Sequence, residues 1–435
     1  MRDYVMVIVF TGLLPMAVRH TWFGILLWTW VSIMNPHKLA WSFAVNMPFA
    51  AAAAIAVFIS LIVDRKSWRI PREPLVVVLT LFTLWMCLTT LTAINAEQSQ
   101  VQLLKVTKIL VMTLVAFAAI RERRHIELFI LVIVMSIGFY GVKGGLFTII
   151  NGGGERVWGP DGGFISGNNE IGLAMVTTIP LMSCLRMVAT RRWHRHALLV
   201  MMVLTAIATL GTQSRGALLA LAAMGLMLWI RSPRKLGSAI SLGLVVTLLL
   251  AVMPESWEDR MRTIGTYQED NSAMGRIAAW RMTVNLANDR PLVGGGFEIY
   301  DDLVFSRYAP EAIARAAHSI YFQVLGEHGY VGLLLFMLAG TLAYVACSRL
   351  RREARGRPEA EWVYGMAGMF QVSIVGYAVG GAFLSLAYFD LPYNIMVMII
   401  ACKYWMRERR WLHEPGRQPL PAQQGPARRL TAHSP

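Results

Sequence analysis

Hydrophobic runs of about 20 residues recur along this chain from its first residues to about residue 406. A run of that length can cross the hydrocarbon core of a bilayer as an α-helix. Only 15% of the 435 residues are charged, against roughly 25% in soluble globular chains. The runs lack the period-two alternation of a membrane β-barrel. The sequence therefore predicts an all-α, polytopic integral membrane protein.

The net charge of +15 would suit a nucleic-acid-binding protein, but its distribution argues against one. Of the 41 lysine and arginine residues, 26 lie in six short clusters between or after the hydrophobic runs. These are 64–72, 121–125, 186–196, 231–235, 349–357 and the tail from Lys403. Basic clusters of this kind mark the cytoplasmic face of a membrane protein. We therefore expect membrane lipids as partners and no nucleic acid, since no polar domain pairs basic residues with aromatic platforms.

Placing every cluster on one side gives ten membrane spans between Arg65 and the tail. Residues 4–34 are short for two spans and are interrupted at Pro15 and Arg19-His20. We expect one broken or tilted helix there and a second over about 42–63. The prediction is about twelve spans with both termini cytoplasmic.

By domain, the sequence predicts about ten spans within 1–253, a periplasmic loop over 254–317 and two to three spans within 318–406. Residues 407–435, rich in Pro, Gln and Arg, are expected to form a disordered cytoplasmic tail.

The 64-residue loop over 254–317 is too long for a simple connection, so we expect it to be structured and functional. A helix is predicted from about Ser272 to Asn288, ended by Asp289-Arg290-Pro291. Gly294-Gly295-Gly296 is interpreted as a flexible turn, and a second helix is predicted to begin near Pro310.

Several cations fall at the predicted outer face, where charge within or beside a span is costly. They are Lys105, Lys108, Lys143, Arg156, Arg215, Arg276, Arg281 and Arg307. Lys105 and Lys108 can instead snorkel to the interface. Arg156 and Arg307 can be solvated, and Arg276 and Arg281 can pair with acids of their own loop. Arg215 is the strongest candidate, because the small residues of Ser214-Arg215-Gly216-Ala217 leave room for a ligand. Converging cations suit an anionic lipid headgroup, and arginine forks fit a diphosphate.

His318 is the best candidate for a general base, since imidazole titrates near neutrality. A helix-entry hydrogen bond is its alternative role. His328 is interpreted as a packing residue or as a partner of Glu327.

Metal-ligand patterns are absent from the sequence. No Asp-x-Asp occurs, and the one Glu-x-Glu, Glu359 with Glu361, lies on the predicted cytoplasmic side. The four cysteines, at 87, 184, 347 and 402, have no CxxC spacing. We therefore expect no metal and no cofactor, with arginines performing the task of a divalent ion.

Three segments together resemble the O-antigen ligase superfamily, which contains WaaL ligases, Wzy polymerases and bacterial O-linked oligosaccharyltransferases. They are Ser214-Arg215-Gly216-Ala217, Gly275-Arg276 with Trp280-Arg281, and the run from His318 through Tyr321 and Leu325 to Gly332. Asn35-Pro36-His37-Lys38 and the stretch from Trp158 to Glu170 also resemble ligases found near exosortase systems. Ser319 departs from the pattern, because many relatives have asparagine there.

The resemblance implies a glycan donor on undecaprenyl diphosphate and, for a WaaL-type member, a lipid A–core acceptor. Transfer would take place at the periplasmic face of the bacterial inner membrane. The family's essential arginine falls on Arg215 and its histidine on His318. Diphosphate-binding roles extend to Arg276, Arg281, Arg156 and Lys105, with Gln213 and Tyr321 as supporting residues.

Three other functions stay open. A polymerase would use the same lipid-linked donor as its acceptor, and a protein O-oligosaccharyltransferase would use a protein hydroxyl. A lipid-linked glycan flippase is disfavoured, because its charges would be expected near the midplane of two inverted repeats.

Overall fold

Long apolar helices make up the structure, which is a computed structural model. It describes residues 1–64, 70–232 and 271–412, together with isolated positions between 235 and 247. It is all-helical, with 79% of residues in helices and no strand in the part described. The first nine helices are α1 (Arg2–Arg19), α2 (Thr21–Met34), α3 (Phe49–Val63), α4 (Pro74–Leu91), α5 (Ala96–Ala119), α6 (Arg123–Ile150), α7 (Asn168–Val188), α8 (Arg192–Gly211) and α9 (Arg215–Arg231). After the gap come α10 (Asn271–Asp289), α11 (Asp302–Tyr308), α12 (Ile320–Ala354), α13 (Glu361–Gly381) and α14 (Asp390–Arg407).

The all-α prediction is confirmed. Nine of the ten spans predicted after Arg65 correspond to helices α4 to α9 and α12 to α14. The tenth, over 236–253, lies outside the described residues, as do 254–270 and the tail beyond 412. Seven of the helices described are long and apolar enough to cross a membrane, which makes this a multi-pass membrane protein.

The basic clusters meet at one end of the helix bundle. Lys403 forms an ion pair with Glu73. The Arg123 guanidinium lies over the Trp362 ring, 4.7 Å from its centroid. These contacts join segments that are far apart in sequence, so we call this the basic end, formed by residues 70–73, 120–125, 188–195, 349–361 and 403–412.

The segments predicted to lie outside meet at the opposite end. The Ile94 amide donates to the Gly295 carbonyl over 2.8 Å. The Gln213 side-chain amide donates to the Gly153 carbonyl over 3.1 Å. We call this the site end, formed by residues 35–48, 92–95, 151–168, 211–214, 289–319 and 382–389.

Side-chain caps begin three helices at the site end. Asn95, Ser214 and Asp301 each accept a hydrogen bond from the backbone amide three residues later, at 3.4, 3.3 and 2.9 Å. Such caps satisfy amides that the first helical turn leaves without a partner. The polar residues that the sequence places between hydrophobic runs thus determine where α5, α9 and α11 start.

The amino-terminal region differs from the prediction. Helices α1 and α2 form an antiparallel hairpin that turns at His20, and α3 runs back alongside α1. Asp3 Oδ1 accepts a hydrogen bond from the Ser42 amide over 3.0 Å, and the Phe10 and Phe49 rings are 4.9 Å apart. Residue 1 therefore lies at the site end.

The prediction of one broken or tilted helix over 4–34 is therefore wrong. The turn at His20 lies at the basic end, where the ring of Trp22 stacks on His125 at 4.4 Å. The physical reason is that α1 accommodates Pro15 in its interior. Arg19-His20 ends a complete helix instead of interrupting one. Because three helices, and not two, precede residue 64, the chain starts at the site end and not at the basic end.

This arrangement predicts that the amino-terminal segment shares a side with the 271–319 region. In a thiol-labelling experiment on intact cells, an impermeant maleimide should modify Ser42→Cys and Ser306→Cys, which are both exposed at the site end. Thr190→Cys, exposed at the basic end, should react only after permeabilisation. The unmodified chain, with its four native cysteines, is the control. Labelling of Ser306→Cys but not of Ser42→Cys in intact cells would contradict the hairpin.

Candidate functional site

Arg215 opens α9 from a turn that is tied to a neighbouring loop. Gln213, just before it, has a left-handed backbone with φ of 53°. This conformation directs its side chain to the 151–156 loop, where it donates to the Gly153 carbonyl and accepts from Arg156 Nε over 3.3 Å. The structure thus places Arg156, Gln213 and Arg215 together.

The start of α7 lies against the start of α9. Asn168 donates from its side chain to the Thr212 carbonyl over 2.9 Å. Gly172 allows close packing, since a Cβ atom there would lie 2.9 Å from the Ala217 Cβ. Glu170, in the first turn of α7, is thereby brought to the site, which the sequence analysis did not anticipate.

Helix α10 brings Arg276 to this region. The positive charge of Arg276 acts on both Glu170 and His318. Trp280, four residues later and therefore on the same helix face, donates to the Ala317 carbonyl over 2.7 Å and stacks on Phe322 at 4.8 Å. These contacts hold the Arg276 face of α10 against the segment that carries His318.

His318 lies in a short non-helical segment just before α12. Its backbone is left-handed, with φ of 46°, which is uncommon for a residue with a side chain. Its Nδ1 is buried and has no hydrogen-bond partner among the described residues. Burial, together with the charge of Arg276, lowers the pKa of His318 below its ordinary value of 6.5. The imidazole is therefore mostly neutral near pH 7 and able to accept a proton.

The candidate arginine and histidine flank one pair of glycines at the end of α13. A Cβ atom at Gly380 would lie 3.5 Å from the carbonyl oxygen of Gly216, the residue after the candidate arginine. A Cβ atom at Gly381 would lie 2.4 Å from Ile320, two residues after the candidate histidine. The absence of side chains at this pair therefore allows the starts of α9 and α12 to approach each other.

Three helix amino termini lie at the site end with these side chains. Helices α7, α9 and α12 all begin there, and unpaired amides give each helix start a partial positive charge. Together with Arg215 and Arg276 they create a positive environment suited to an anion with several oxygens, such as a diphosphate.

The loop containing Gly294, Gly295 and Gly296 is held in place, so its interpretation as a flexible turn is wrong. Helix α12 breaks at Gly329, whose φ of 68° and ψ of −171° are not helical. The Gly295 amide donates to the Gly326 carbonyl over 2.8 Å, and the Tyr330 amide donates to the Pro291 carbonyl over 2.9 Å. In a continuous helix the Tyr330 amide would donate to the Gly326 carbonyl. The loop therefore replaces the hydrogen bond that the break removes.

Glu327 and His328, at the same break, have separate partners. The Tyr388 hydroxyl donates to Glu327 Oε2 over 2.5 Å. His328 Nδ1 lies 2.7 Å from Thr89 Oγ1, and its ring packs edge-on against Phe297 at 4.6 Å. His328 is thus a packing residue, and its alternative interpretation as the partner of Glu327 is wrong.

The remaining sequence candidates differ in their contacts and exposure. The Tyr321 hydroxyl donates to the Ala378 carbonyl over 2.7 Å, so it joins α12 to α13. Arg281 is exposed on α10 and Lys105 is exposed on α5. Arg307, for which a solvated position was the alternative, is exposed and pairs with Asp289 at 3.1 Å.

The loop helices agree only partly with prediction. Helix α10 ends at Asp289, as predicted. The second helix is α11, which ends at Tyr308, and residues 309–319 are non-helical up to α12. The prediction of a helix beginning near Pro310 is therefore wrong. The Asp301 cap begins the helix earlier, and residues 309–319 follow an irregular path that ends at His318.

An apolar cavity of about 240 Å³ lies among α4, α12, α13 and α14, and it begins at the first turn of α12, just after His318. Ile320, Tyr321, Phe336 and Tyr377 contribute to its walls. The site thus joins a polar, cationic region to an apolar one. Within the described residues, no three or more His, Cys, Asp or Glu side chains are grouped so that they could hold a metal ion.

These features define a multi-pass helical membrane protein with cationic side chains grouped at one end of its bundle. Part of the chain matches the O-antigen ligase superfamily. Residues 200–337 match the family model described as O-Antigen ligase, a range that contains Arg215, Arg276 and His318. Residues 1–190 match a second model, a family of unknown function (DUF5935). No curated protein matches the chain.

The break at Gly329 gives a stability prediction. Gly329→Ala should lower the apparent melting temperature in detergent, because its backbone conformation is nearly restricted to glycine and costs other residues about 1–3 kcal/mol. A Cβ atom there would also lie 2.3 Å from the Leu292 carbonyl oxygen. Gly340→Ala in the same helix is the control, since a Cβ atom there meets nothing within 4 Å. Equal melting temperatures for the two variants would contradict the proposed role of the break.

Proposed function

We propose that the protein ligates O-antigen polysaccharide from undecaprenyl diphosphate onto lipid A–core at the periplasmic face of the inner membrane. Members of the superfamily are glycosyltransferase-like enzymes that act on lipid-linked glycans. The observation that carries the proposal is the position of Arg276, whose charge acts on a half-buried histidine beside the start of α9, where Arg215 lies. This arrangement supplies a base and a diphosphate site in one place.

The reaction follows from these residues. An acceptor hydroxyl attacks the anomeric carbon of the donor sugar as His318 accepts its proton. The bond between that carbon and the diphosphate oxygen breaks. Arg215, Arg276 and the nearby helix amino termini stabilise the charge that develops on the departing diphosphate, usually a large contribution to catalysis. The diphosphate charge is neutralised by the chain's own cations, so the proposal requires neither a metal nor a cofactor.

The apolar cavity that begins at the first turn of α12 supports a lipid-linked donor. It lies within the helix bundle, and its walls come mostly from hydrocarbon and aromatic side chains. An isoprenoid chain could lie there with its diphosphate at the site end. A soluble nucleotide sugar would have no use for such a cavity.

Arg276 should influence the pH dependence of transfer. The active form of His318 is neutral, so the rate should fall as pH drops through its lowered pKa. Arg276→Gln removes one of the two causes of the lowering, so the pKa should rise and the acidic limb should move to higher pH by up to about one unit. Arg281→Gln, exposed on the same helix, is the matched control and should leave the limb unchanged. An equal shift in both variants, or in neither, would argue against this assignment.

Arg215 and His318 should fail in different ways when substituted. His318→Ala should still bind the lipid-linked donor while turnover falls about 10²- to 10⁴-fold, the usual range for loss of a general base. Arg215→Ala should weaken donor binding or leaving-group departure, and Arg215→Lys should restore little, because an ammonium cannot reproduce the guanidinium fork. Donor binding and transfer would be measured side by side in nanodiscs. If His318→Ala lost donor binding as severely as Arg215→Ala, the histidine would instead be a phosphate ligand.

Lipopolysaccharide from a strain lacking the gene tests the proposed acceptor. We expect long chains to disappear while free core remains, with recovery on complementation by the wild-type gene and not by His318→Ala. Core bearing a single repeat unit would indicate a polymerase. Unchanged lipopolysaccharide with loss of glycan from exported proteins would indicate a protein hydroxyl acceptor. Transfer by the purified protein should persist with a strong chelator present.

A further inference from the structure

A second cavity lies between the amino-terminal hairpin and α6. Its volume is about 580 Å³. Apolar side chains from three helices line it, namely Val5, Met6 and Val9 of α1, Trp30 of α2 and Phe139 of α6. None of the residues proposed to carry out transfer, Arg215, Arg276 and His318, lines this cavity.

The walls of this cavity face outward from the bundle. Val5 and Val9, four residues apart on one face of α1, are 56% and 44% exposed, and Phe139 is 42% exposed. In a multi-pass protein, apolar side chains on the outer surface of the bundle contact lipid. The cavity is therefore accessible from the bilayer, and a lipid chain can enter it sideways.

Two cations, Arg2 and Lys143, line the same cavity. Lys143 lies seven residues before the end of α6 at Ile150, which is about 10 Å below the helix end. Placing a cation at that depth in the membrane costs free energy unless an anion lies beside it. Within the part of the chain that the structure describes, neither residue forms an ion pair with an acidic side chain.

The acid nearest in sequence is already engaged. Asp3 Oδ1 accepts hydrogen bonds from the backbone amides of Ser42 and Ala44, at 3.0 and 3.2 Å. The Arg2 guanidinium lies over the ring of Trp41, 4.3 Å from its centroid, a contact that leaves its charge in place. The cavity thus combines apolar walls with two cations that can bind an anionic ligand.

We propose that this cavity binds an anionic phospholipid of the membrane, with the phosphate between Arg2 and Lys143 and one acyl chain along α1 and α6. The volume lies in the range of small-ligand sites. The two cations should favour an anionic headgroup over a zwitterionic one, because each basic residue near a membrane surface adds attraction for anionic lipid. The bound lipid would hold the amino-terminal hairpin against α6.

Lipid titration of the purified full-length protein, followed by native mass spectrometry, tests the proposal. Phosphatidylglycerol should bind more tightly than phosphatidylethanolamine. The double variant Arg2→Gln/Lys143→Gln should bind phosphatidylglycerol about 30-fold more weakly, from the loss of two contacts worth about 1 kcal/mol each. Lys108→Gln is the matched control, an exposed lysine of α5 that does not line the cavity.

A second variant tests the cavity without changing charge. Val9→Trp places a large side chain at the wall and should weaken phosphatidylglycerol binding, while the melting temperature shows that the protein remains folded. Three outcomes would overturn the proposal: equal binding of the two lipids, an equal loss in Lys108→Gln, or unchanged binding in Val9→Trp. None of these measurements involves glycan transfer, so they stand apart from the proposed function.

Discussion

The site depends on a hydrogen-bond exchange between a glycine loop and a broken helix. Where α12 breaks at Gly329, the Gly326 carbonyl and the Tyr330 amide lose each other as partners, and residues 291–295 supply replacements at 2.8 and 2.9 Å. Unsatisfied backbone groups within a membrane cost several kcal/mol each, so a break there is tolerated only when such replacements exist. The break separates the first turns of α12 from the long helix that follows. The loop, α10 and the segment bearing His318 are thereby held as one unit.

Charge is divided between the two ends of the bundle. At the basic end, cations pack on aromatic rings and pair with carboxylates, as Arg123 does with Trp362 and Lys403 with Glu73. At the site end, Arg215 and Arg276 lie among helix amino termini, where an anion is stabilised. The same residue type is therefore predicted to mark the cytoplasmic face at one end and is proposed to bind substrate at the other.

Both cavities offer apolar walls to a ligand. One lies among α4, α12, α13 and α14, with Ile320 and Tyr321 in its wall just after His318, and the other lies between the amino-terminal hairpin and α6, with Arg2 and Lys143 in its wall. An amphipathic ligand meets its two requirements in such a place, because its chain avoids water while its phosphate is neutralised. An enzyme that acts on lipid-linked substrates needs such a combination of apolar and cationic surfaces.

Hydrophobic runs and basic clusters were sufficient to predict an all-α membrane protein, nine of its later helices and the end of α10 at Asp289. These features are local, since span length and helix-ending residues act within one segment.

The hairpin at His20 was missed because Arg19-His20 can interrupt one helix or end it. Contacts between distant segments, such as the packing of Phe10 on Phe49, distinguish the two cases. The sequence could not distinguish Arg276 from Arg281 as a site residue, because they lie five residues apart on one predicted helix. In the structure, Trp280 contacts Ala317, which places the Arg276 face of that helix against the segment that carries His318. Glu170 closed a stretch that resembles known ligases, but its interaction with Arg276 was not predicted, because it exists only once α7 and α10 meet. The sequence by itself determined which segments enter the membrane and which residues could do chemistry. The tertiary structure decided which of those residues meet, because the contacts that bring them together join segments that are far apart in the sequence.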